Sequence, residues 1–288
     1  MALSFVLLAC TIVPQTYGAS LVERMATHCA LEKIDISKER IPENLLEFID
    51  EYVSKDIRSL FEMFHPEDAA TVLGFPSYSE FSATKPWLGD QMKHLTERLC
   101  LQLTFKQSRI KSITIGPPVG YHPYPLMLKH EIRWESVFKL SELKEFRLYR
   151  MTVPGPVKWE LLPPMVNILD FKHSRFSGGV DFGKCPKSLT VICFSDSRFA
   201  ESRVNFDELA NLNNLYGFFA DHANLKGEIN TKKLPRSIKS LRLHGNQLTG
   251  NFDFSELPSA IHFVAIRGNK MDYIHKEAAK PEWMLNDD

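Results

Sequence analysis

The chain has 288 residues, of which 44% are hydrophobic and 24% are charged. This composition is typical of a globular protein that can bury a sizeable core, and it excludes a disordered chain. Thirty-five basic residues balance 35 acidic residues, so net charge provides no general attraction to nucleic acid or to an anionic membrane.

Residues 1–19 are predicted to form a secretory signal peptide. An apolar run from Met1 to Val13 precedes Pro14 and a stretch of small and polar residues, which is the order of an apolar segment and a cleavage zone. The run has no Lys or Arg in front of it, and a buried N-terminal strand or helix is the alternative. No segment reaches the ~20 apolar residues of a membrane span, so we expect no membrane-spanning helix. The signal peptide predicts a secreted or cell-surface protein.

Five cysteines are spaced irregularly along the chain. Removal of the signal peptide would leave four of them, which is compatible with two disulfides in an oxidising compartment and leaves their connectivity open. The chain has no CxxC pair, so the sequence predicts neither a zinc site nor any other metal or cofactor. The cysteines are Cys10, Cys29, Cys100, Cys185 and Cys193.

Residues 20–107 are predicted to be helical. Apolar residues recur at three- and four-residue spacing between positions 40 and 66, which predicts a helix that begins near Pro42. A shorter helix is predicted from Glu67 to Leu73, and a third after Asp90.

The segment Gly116–Pro125 contains four prolines and two glycines, which exclude a regular helix or a central strand. We expect an insertion loop here. Such a loop is either part of a binding site or a plain spacer.

One frame of apolar residues repeats along the second half of the chain. Its clearest copy has the form LxxLxLxxNxL, and it recurs 23 residues later from Ile261. Steps of 23, 26, 23 and 23 in the other direction lead to copies that start at Leu215, Leu189, Val166 and Leu143, and a weaker copy precedes them at Ile110, Ile113 and Ile115. The clearest copy consists of Ile238, Leu241, Leu243, Asn246 and Leu248.

Each LxL pair predicts a short strand with two side chains on one face, and stacked strands then form one parallel sheet. The Asn of the frame can satisfy backbone groups of the following turn. Only Asn246 and Asn269 occupy this position, which predicts a degraded Asn ladder. The other copies have Met151, Ser174, Ser197 and Ala223 there.

A second alternating pattern follows each frame, as in Val180-Asp-Phe182 and Phe252-Asp-Phe254. It predicts a short strand with one buried face and a solvated middle position. The middle residues are of mixed type, which argues against paired acid–base carboxylates. They are Lys158, Asp181, Asn205, Asn230 and Asp253.

These repeats resemble the leucine-rich-repeat superfamily, in the LTG-type extracellular form of plants and kinetoplastid protists. The resemblance covers residues 140–275 and is strongest in the last two copies. It implies an α/β solenoid over residues 108–275, with a parallel concave β-sheet, short convex strands and an N-terminal helical cap. Residues 20–107 would then be the cap, with an independent helical domain as the alternative, and residues 276–288 would form a C-terminal cap that includes Trp283.

The resemblance also implies a binding scaffold whose ligand lies on the concave face. Alternation along the strands predicts three outward columns of mixed charged, aromatic and small residues. Arginine and aromatic side chains are the usual anchors of protein interfaces, so we expect a protein partner and no nucleic acid. The predicted ligand-binding residues are Arg147, Tyr149, Phe219, Arg242 and Arg267.

No catalytic motif accompanies the repeats: GxSxG, HExxH, P-loop and GxGxxG are all absent. His173, His222, His244 and His262 occupy different phases of the repeat, so they are not expected to converge. Cys193 is predicted to face the concave side, without an activating partner. We therefore expect a non-enzymatic scaffold. The alternatives are the substrate-recognition part of a ubiquitin-ligase-like enzyme and a purely structural solenoid in an assembly.

Overall fold

The computed structural model describes residues 59–60, 62–65, 68, 101–106, 109–117, 125–201 and 203–276. The predicted signal peptide, most of the predicted helical region, the centre of the Gly116–Pro125 loop and the C-terminal segment from residue 277 lie outside these residues.

Short strands dominate the described chain. They are β1 (Leu101–Lys106), β2 (Arg109–Ile115), β3 (Leu126–Met127), β4 (Glu145–Leu148), β5 (Met151–Val153), β6 (Ile168–Asp170), β7 (Arg175–Gly179), β8 (Val191–Cys193), β9 (Arg198–Glu201), β10 (Gly217–Phe219), β11 (Lys226–Glu228), β12 (Ser240–Arg242), β13 (Gln247–Thr249), β14 (Asn251–Asp253), β15 (Phe263–Ala265) and β16 (Asp272–Ile274).

Helical segments are few and short in this part of the chain. One α-helix, α1 (Trp134–Phe138), precedes β4, and 3₁₀ helices follow the convex strands. The 3₁₀ helices are η1 (Trp159–Leu161), η2 (Phe182–Lys184), η3 (Phe206–Asn211), η4 (Thr231–Lys233) and η5 (Phe254–Glu256).

The largest sheet is the predicted concave sheet, with the strand order β1-β2-β4-β6-β8-β10-β12-β15. All its pairings are parallel except that of β1 with β2. The opposite side has a four-stranded sheet, β3-β5-β7-β9, and two strand pairs, β11-β13 and β14-β16. This architecture confirms the predicted leucine-rich-repeat solenoid.

The register of the sheet confirms the repeat frame. Phe146 pairs with Leu169, Leu169 with Ile192, and the row continues through Phe218 and Leu241. Every apolar frame residue of the six full copies is buried. The weaker copy is also a repeat, because β2 pairs in parallel with β4 and its three isoleucines are buried.

The Asn ladder is better preserved than the sequence indicates. Asn246 accepts a hydrogen bond from the backbone N–H of Leu225 (2.9 Å) and donates to the carbonyl of Ala220 (2.7 Å). Ser174 bonds the equivalent carbonyl but an N–H two positions earlier in the turn. Its Oγ accepts from the N–H of Met151 (3.2 Å) and donates to the carbonyl of Leu148 (2.8 Å).

Ser197 also bonds the preceding turn, through the N–H of Ser174 and the carbonyl of Phe171. A hydroxyl is one donor and two acceptors, so it replaces part of what an Asn amide supplies. The ladder is therefore degraded but partly maintained at the two serine positions.

One turn position after each concave strand has left-handed backbone. Six residues occupy it, with φ values between 50° and 69°. Gly245 is one of them, and a Cβ there would lie 2.3 Å from the ring Nδ1 of His222 in the preceding turn. The glycine therefore meets two requirements, the positive φ and the close approach of a side chain. The six are Arg150, His173, Asp196, His222, Gly245 and Gly268.

The second alternating pattern does not form the complete short strand that the sequence predicts. Its first and third residues are buried, but the third begins a 3₁₀ helix in every copy. The middle residue is then the N-cap: Asp181, Asn205, Asn230 and Asp253 each accept a backbone N–H of the helix that follows. The mixture of Asp and Asn has a physical reason, because both are strong N-cap residues.

Three residues that precede the repeats pack into the core. Leu60, Met63 and Phe64 belong to the same buried cluster as the repeats. The buried carboxylate of Asp68 accepts the backbone N–H groups of Lys129 and His130, both at 2.8 Å. These contacts tie the predicted cap to the segment before α1. Residues 101–106, assigned from sequence to the helical region, form strand β1 instead.

Candidate functional site

Side chains between the buried frame residues form the concave surface. The register sets them in rows across the strands, because Arg147 pairs with Asp170, Asp170 with Cys193, Cys193 with Phe219, and Phe219 with Arg242. This is the middle column of the three expected from sequence. A second row lies two residues earlier on each strand and consists of Glu145, Ile168, Val191, Gly217, Ser240 and Phe263.

At the N-terminal end of this surface, charged groups pair within the sheet. The guanidinium of Arg147 donates to the carboxylate of Glu145 on the same strand. Tyr149 donates its hydroxyl to Asp170 Oδ2 at 2.9 Å. Burial, reinforced by the Asp170 carboxylate, raises the pKa of Tyr149 well above its ordinary value. The phenol therefore stays protonated and keeps Asp170 in place.

The centre of the surface is apolar. Ile168 and Val191 are half-buried, and Cys193 is buried. Phe219 covers Gly217, since a Cβ on that glycine would lie 2.8 Å from the Phe219 ring. The absence of a side chain at Gly217 thus lets the ring lie flat on the sheet.

The C-terminal part contains an oriented arginine. Asp221 is a buried carboxylate, and its Oδ2 lies 2.7 Å from Nε of Arg242. Its other oxygen accepts the backbone N–H of His244 at 3.2 Å. The guanidinium carbon of Arg242 lies 5.9 Å from the ring centroid of Phe263 on the next strand, within cation–π range.

Arg242 nevertheless remains half exposed, with 49% of its side chain accessible. Its ion pair uses Nε, and among the described residues its two Nη groups have no hydrogen-bond partner. A half-exposed guanidinium with both Nη groups unpaired can donate paired N–H groups to a carboxylate or a similar planar anion.

All five residues predicted to bind a ligand lie on this face or at its edge. Arg147, Tyr149 and Arg242 have partners within the sheet, Phe219 lies on Gly217, and Arg267 is exposed. Sequence reasoning placed Asp170 and Asp221 in the columns but gave them no role. The only sequence signal for their role is that each aspartate lies about one repeat away from its basic or phenolic partner.

Two of the histidines contact each other although they occupy different phases of the repeat. The rings of His222 and His244 are 4.8 Å apart in an edge-to-face arrangement. Even so, no group of three or more His, Cys, Asp or Glu residues within the described chain is arranged to hold a metal ion.

The two described cysteines are buried free thiols. Burial, with a further contribution from the Asp170 carboxylate, raises the pKa of Cys193, and burial likewise raises that of Cys185. A thiol with a raised pKa is a weak nucleophile at neutral pH. Neither residue takes part in a disulfide in this structure.

Comparison with known proteins gave no matching family model and no matching curated protein. The chain is similar in structure to plant leucine-rich-repeat ectodomains. Pollen Receptor Kinase 3 is 20% identical over 64% of this chain and 84% of its own, with a TM-score of 0.44. The ectodomain of the Arabidopsis thaliana receptor kinase SOBIR1 is 15% identical over 76% and 96%, with a TM-score of 0.37.

The A. thaliana receptor kinase GASSHO1/SCHENGEN3, solved with CASPARIAN STRIP INTEGRITY FACTOR 2, is 21% identical over 51% of this chain (TM-score 0.44). The match spans only 18% of that ectodomain. Because these TM-scores are below 0.5, the repeat register of the chain itself, and not the similarity, defines the fold. Among the described residues, no helix is both long and apolar enough to cross a bilayer.

Proposed function

We propose that the protein is a non-enzymatic scaffold, secreted or displayed at the cell surface, that binds a protein or peptide partner on its concave sheet. The observation that carries this proposal is the arrangement of Arg242, which is held by the buried Asp221 and lies against Phe263 while half exposed. A fixed arginine beside aromatic rings is typical of the residues that dominate protein interfaces.

The surroundings of Arg242 support a peptide or protein over a small metabolite. Phe219 on the adjacent strand provides apolar contact area, and the strip of Ile168 and Val191 extends it across neighbouring repeats. Because the sheet repeats every 4.8 Å or so, an extended partner can contact several repeats at once. The partner group expected at Arg242 is a carboxylate.

The absence of enzymatic activity is proposed on chemical grounds. A ligase of the thioester type needs a cysteine that ionises readily. Both described thiols have raised pKa values because they are buried. The charged groups of the concave face are paired in ways that orient side chains, and none of these pairs resembles a base held against a nucleophile.

The test uses peptides selected from a random display library on the immobilised full-length protein. Their dissociation constants are then measured for the wild type and for Arg242→Lys, Phe219→Ala and the control Lys239→Ala, whose side chain is exposed outside the concave columns. Arg242→Lys keeps the charge near Asp221 but loses the forked donors, so we expect about a tenfold loss of affinity. Phe219→Ala should cause a similar loss.

Circular dichroism and thermal melting establish that each variant is folded. Peptides that bind all four proteins with the same dissociation constant would contradict the concave-face proposal. Selected peptides that bind tightly but contain no carboxylate would contradict the role given to Arg242.

A further inference from the structure

A second charged surface lies on the convex side and along the edge where concave strands turn into convex ones. Six exposed cations occupy this surface, which we call the basic ridge. They extend over four successive repeats and lie outside the concave sheet's central columns. The basic ridge consists of Arg150, Lys172, Arg175, Arg198, Arg203 and Lys226.

The strand register brings these cations together in like-charged pairs. Arg175 on β7 is the direct partner of Arg198 on β9. Arg203 forms a parallel bridge with Lys226, the first residue of β11. In the turn above them, the backbone N–H of Arg150 donates to the carbonyl of Lys172 at 3.1 Å. Like charges directly opposite each other on adjacent strands are destabilising.

The ridge cations form no close ion pairs. Among the described residues, none forms an ion pair within 4.0 Å with any of the six cations. Asp196 lies in the same turns, but its carboxylate is 3.6 Å from Nδ1 of His173. The six cations outnumber the three exposed carboxylates on the same turns and strands, which are Asp196, Glu201 and Glu228.

The two like-charged register pairs do not continue into the flanking repeats. The row through Arg175 has the neutral Thr152 on its N-terminal side, and the row through Lys226 continues at the neutral Gln247. Gln247 donates to the side chain of Asn224 at 2.6 Å, so the polar groups of the later repeats satisfy one another.

We propose that the basic ridge binds a linear sulfated polysaccharide that runs along the solenoid axis. Guanidinium groups bind oxyanions through paired N–H donors, and adjacent strands place such groups at the strand spacing, which a chain of sulfates can follow. No aromatic side chain belongs to the ridge. Single-stranded nucleic acid, which depends on base stacking as well as charge, is therefore a poorer fit.

The test measures binding of heparin to the full-length protein by calorimetry and by salt elution from a heparin column. The variant is Arg175→Ser with Arg198→Ser, and the matched control is Lys233→Ser with Lys239→Ser, which removes two exposed cations elsewhere. We expect at least tenfold weaker binding and earlier elution for the ridge variant, and wild-type behaviour for the control. Fewer released counterions should also make its affinity less dependent on salt.

The ridge variant should melt at or above the wild-type temperature without heparin, because a like-charged pair has been removed, and heparin should stabilise only the wild type and the control. De-sulfated heparin should bind at least tenfold more weakly than heparin. An equal loss of binding in both double variants, or none in either, would overturn the ridge as a site. An oligo(dT) of equal length that binds as tightly as heparin would overturn the polysaccharide as the ligand.

Discussion

At the residue scale, a polar side chain in four of the six turns connects neighbouring repeats. Asn246 bonds the N–H of Leu225 and the carbonyl of Ala220 in the preceding repeat, and also the carbonyl of Leu243 in its own. These backbone groups are buried, so water cannot replace the amide if it is lost. A buried polar group without a partner costs about 1–3 kcal/mol.

We therefore expect Asn246→Ala to lower the free energy of unfolding by about 2–4 kcal/mol, since two buried backbone groups lose their partner. Asn246→Ser should cost about half as much, because Ser174 and Ser197 make one accepting and one donating bond at the same position. Urea unfolding monitored by circular dichroism measures both. Equal losses for Ala and Ser would show that the serines of the ladder do not substitute for Asn.

At the element scale, four of the five 3₁₀ helices on the convex side are capped by Asp or Asn. Asp253 caps η5, where its Oδ1 accepts the N–H of Ser255 at 2.9 Å and the Ser255 hydroxyl at 2.6 Å. The same oxygen lies 2.9 Å from Nδ1 of His275. The hydrogen bond from the Ser255 hydroxyl, above all, holds the pKa of Asp253 below its ordinary value, and His275 adds to this.

A carboxyl group whose pKa is lowered on folding stabilises the folded state above its unfolded pKa, and this stabilisation is lost as the pH falls through the folded pKa. Asp253→Asn keeps the capping oxygen and removes the charge. We expect the wild type to melt at a higher temperature than the variant at neutral pH, and the difference to close below pH about 4. A difference in melting temperature that persists unchanged to pH 2 would contradict a role for the ionised carboxylate.

At the scale of the whole molecule, aromatic rings link the central repeats into one core. Phe194 packs against Phe171 in the repeat before it (5.9 Å between ring centroids) and against Phe218 in the repeat after it (6.5 Å). Trp159 and Phe199 also contact it. The next repeat has only Ala220 at the equivalent frame position, so the aromatic packing is concentrated before it.

Phe194→Ala should lower the free energy of unfolding by about 3–5 kcal/mol, as expected for a large cavity in a packed core. Because each repeat of a solenoid contacts only its neighbours, protection from hydrogen exchange should fall most in β6, β8 and β10. Leu243→Ala, at the same frame position near the C-terminal end, is the comparison, and there β12 and β15 should lose protection instead. A uniform loss of protection in either variant would mean that the whole solenoid opens as one unit.

The repeat itself followed from the sequence, because a 23-residue spacing of buried residues permits only one stacking register. The concave columns, the buried frame residues and the weak copy at Ile110 were all predictable for this reason. The position of the five proposed ligand-binding residues on the concave face was predictable in the same way. The convex side was less predictable: alternating burial is the same in a strand and at the start of a 3₁₀ helix, and only the backbone path distinguishes them.

Tertiary structure alone decided which polar groups meet. Nothing in the sequence distinguishes Asp221, but the stacking of one repeat on the next places its Oδ2 2.7 Å from Nε of Arg242. The serine bonds of the ladder and the like-charged pairs of the basic ridge arise in the same way, across a gap of one repeat. Hydrogen bonds and ion pairs depend on distances of a few ångströms, and spacing along the chain fixes only which residues share a column.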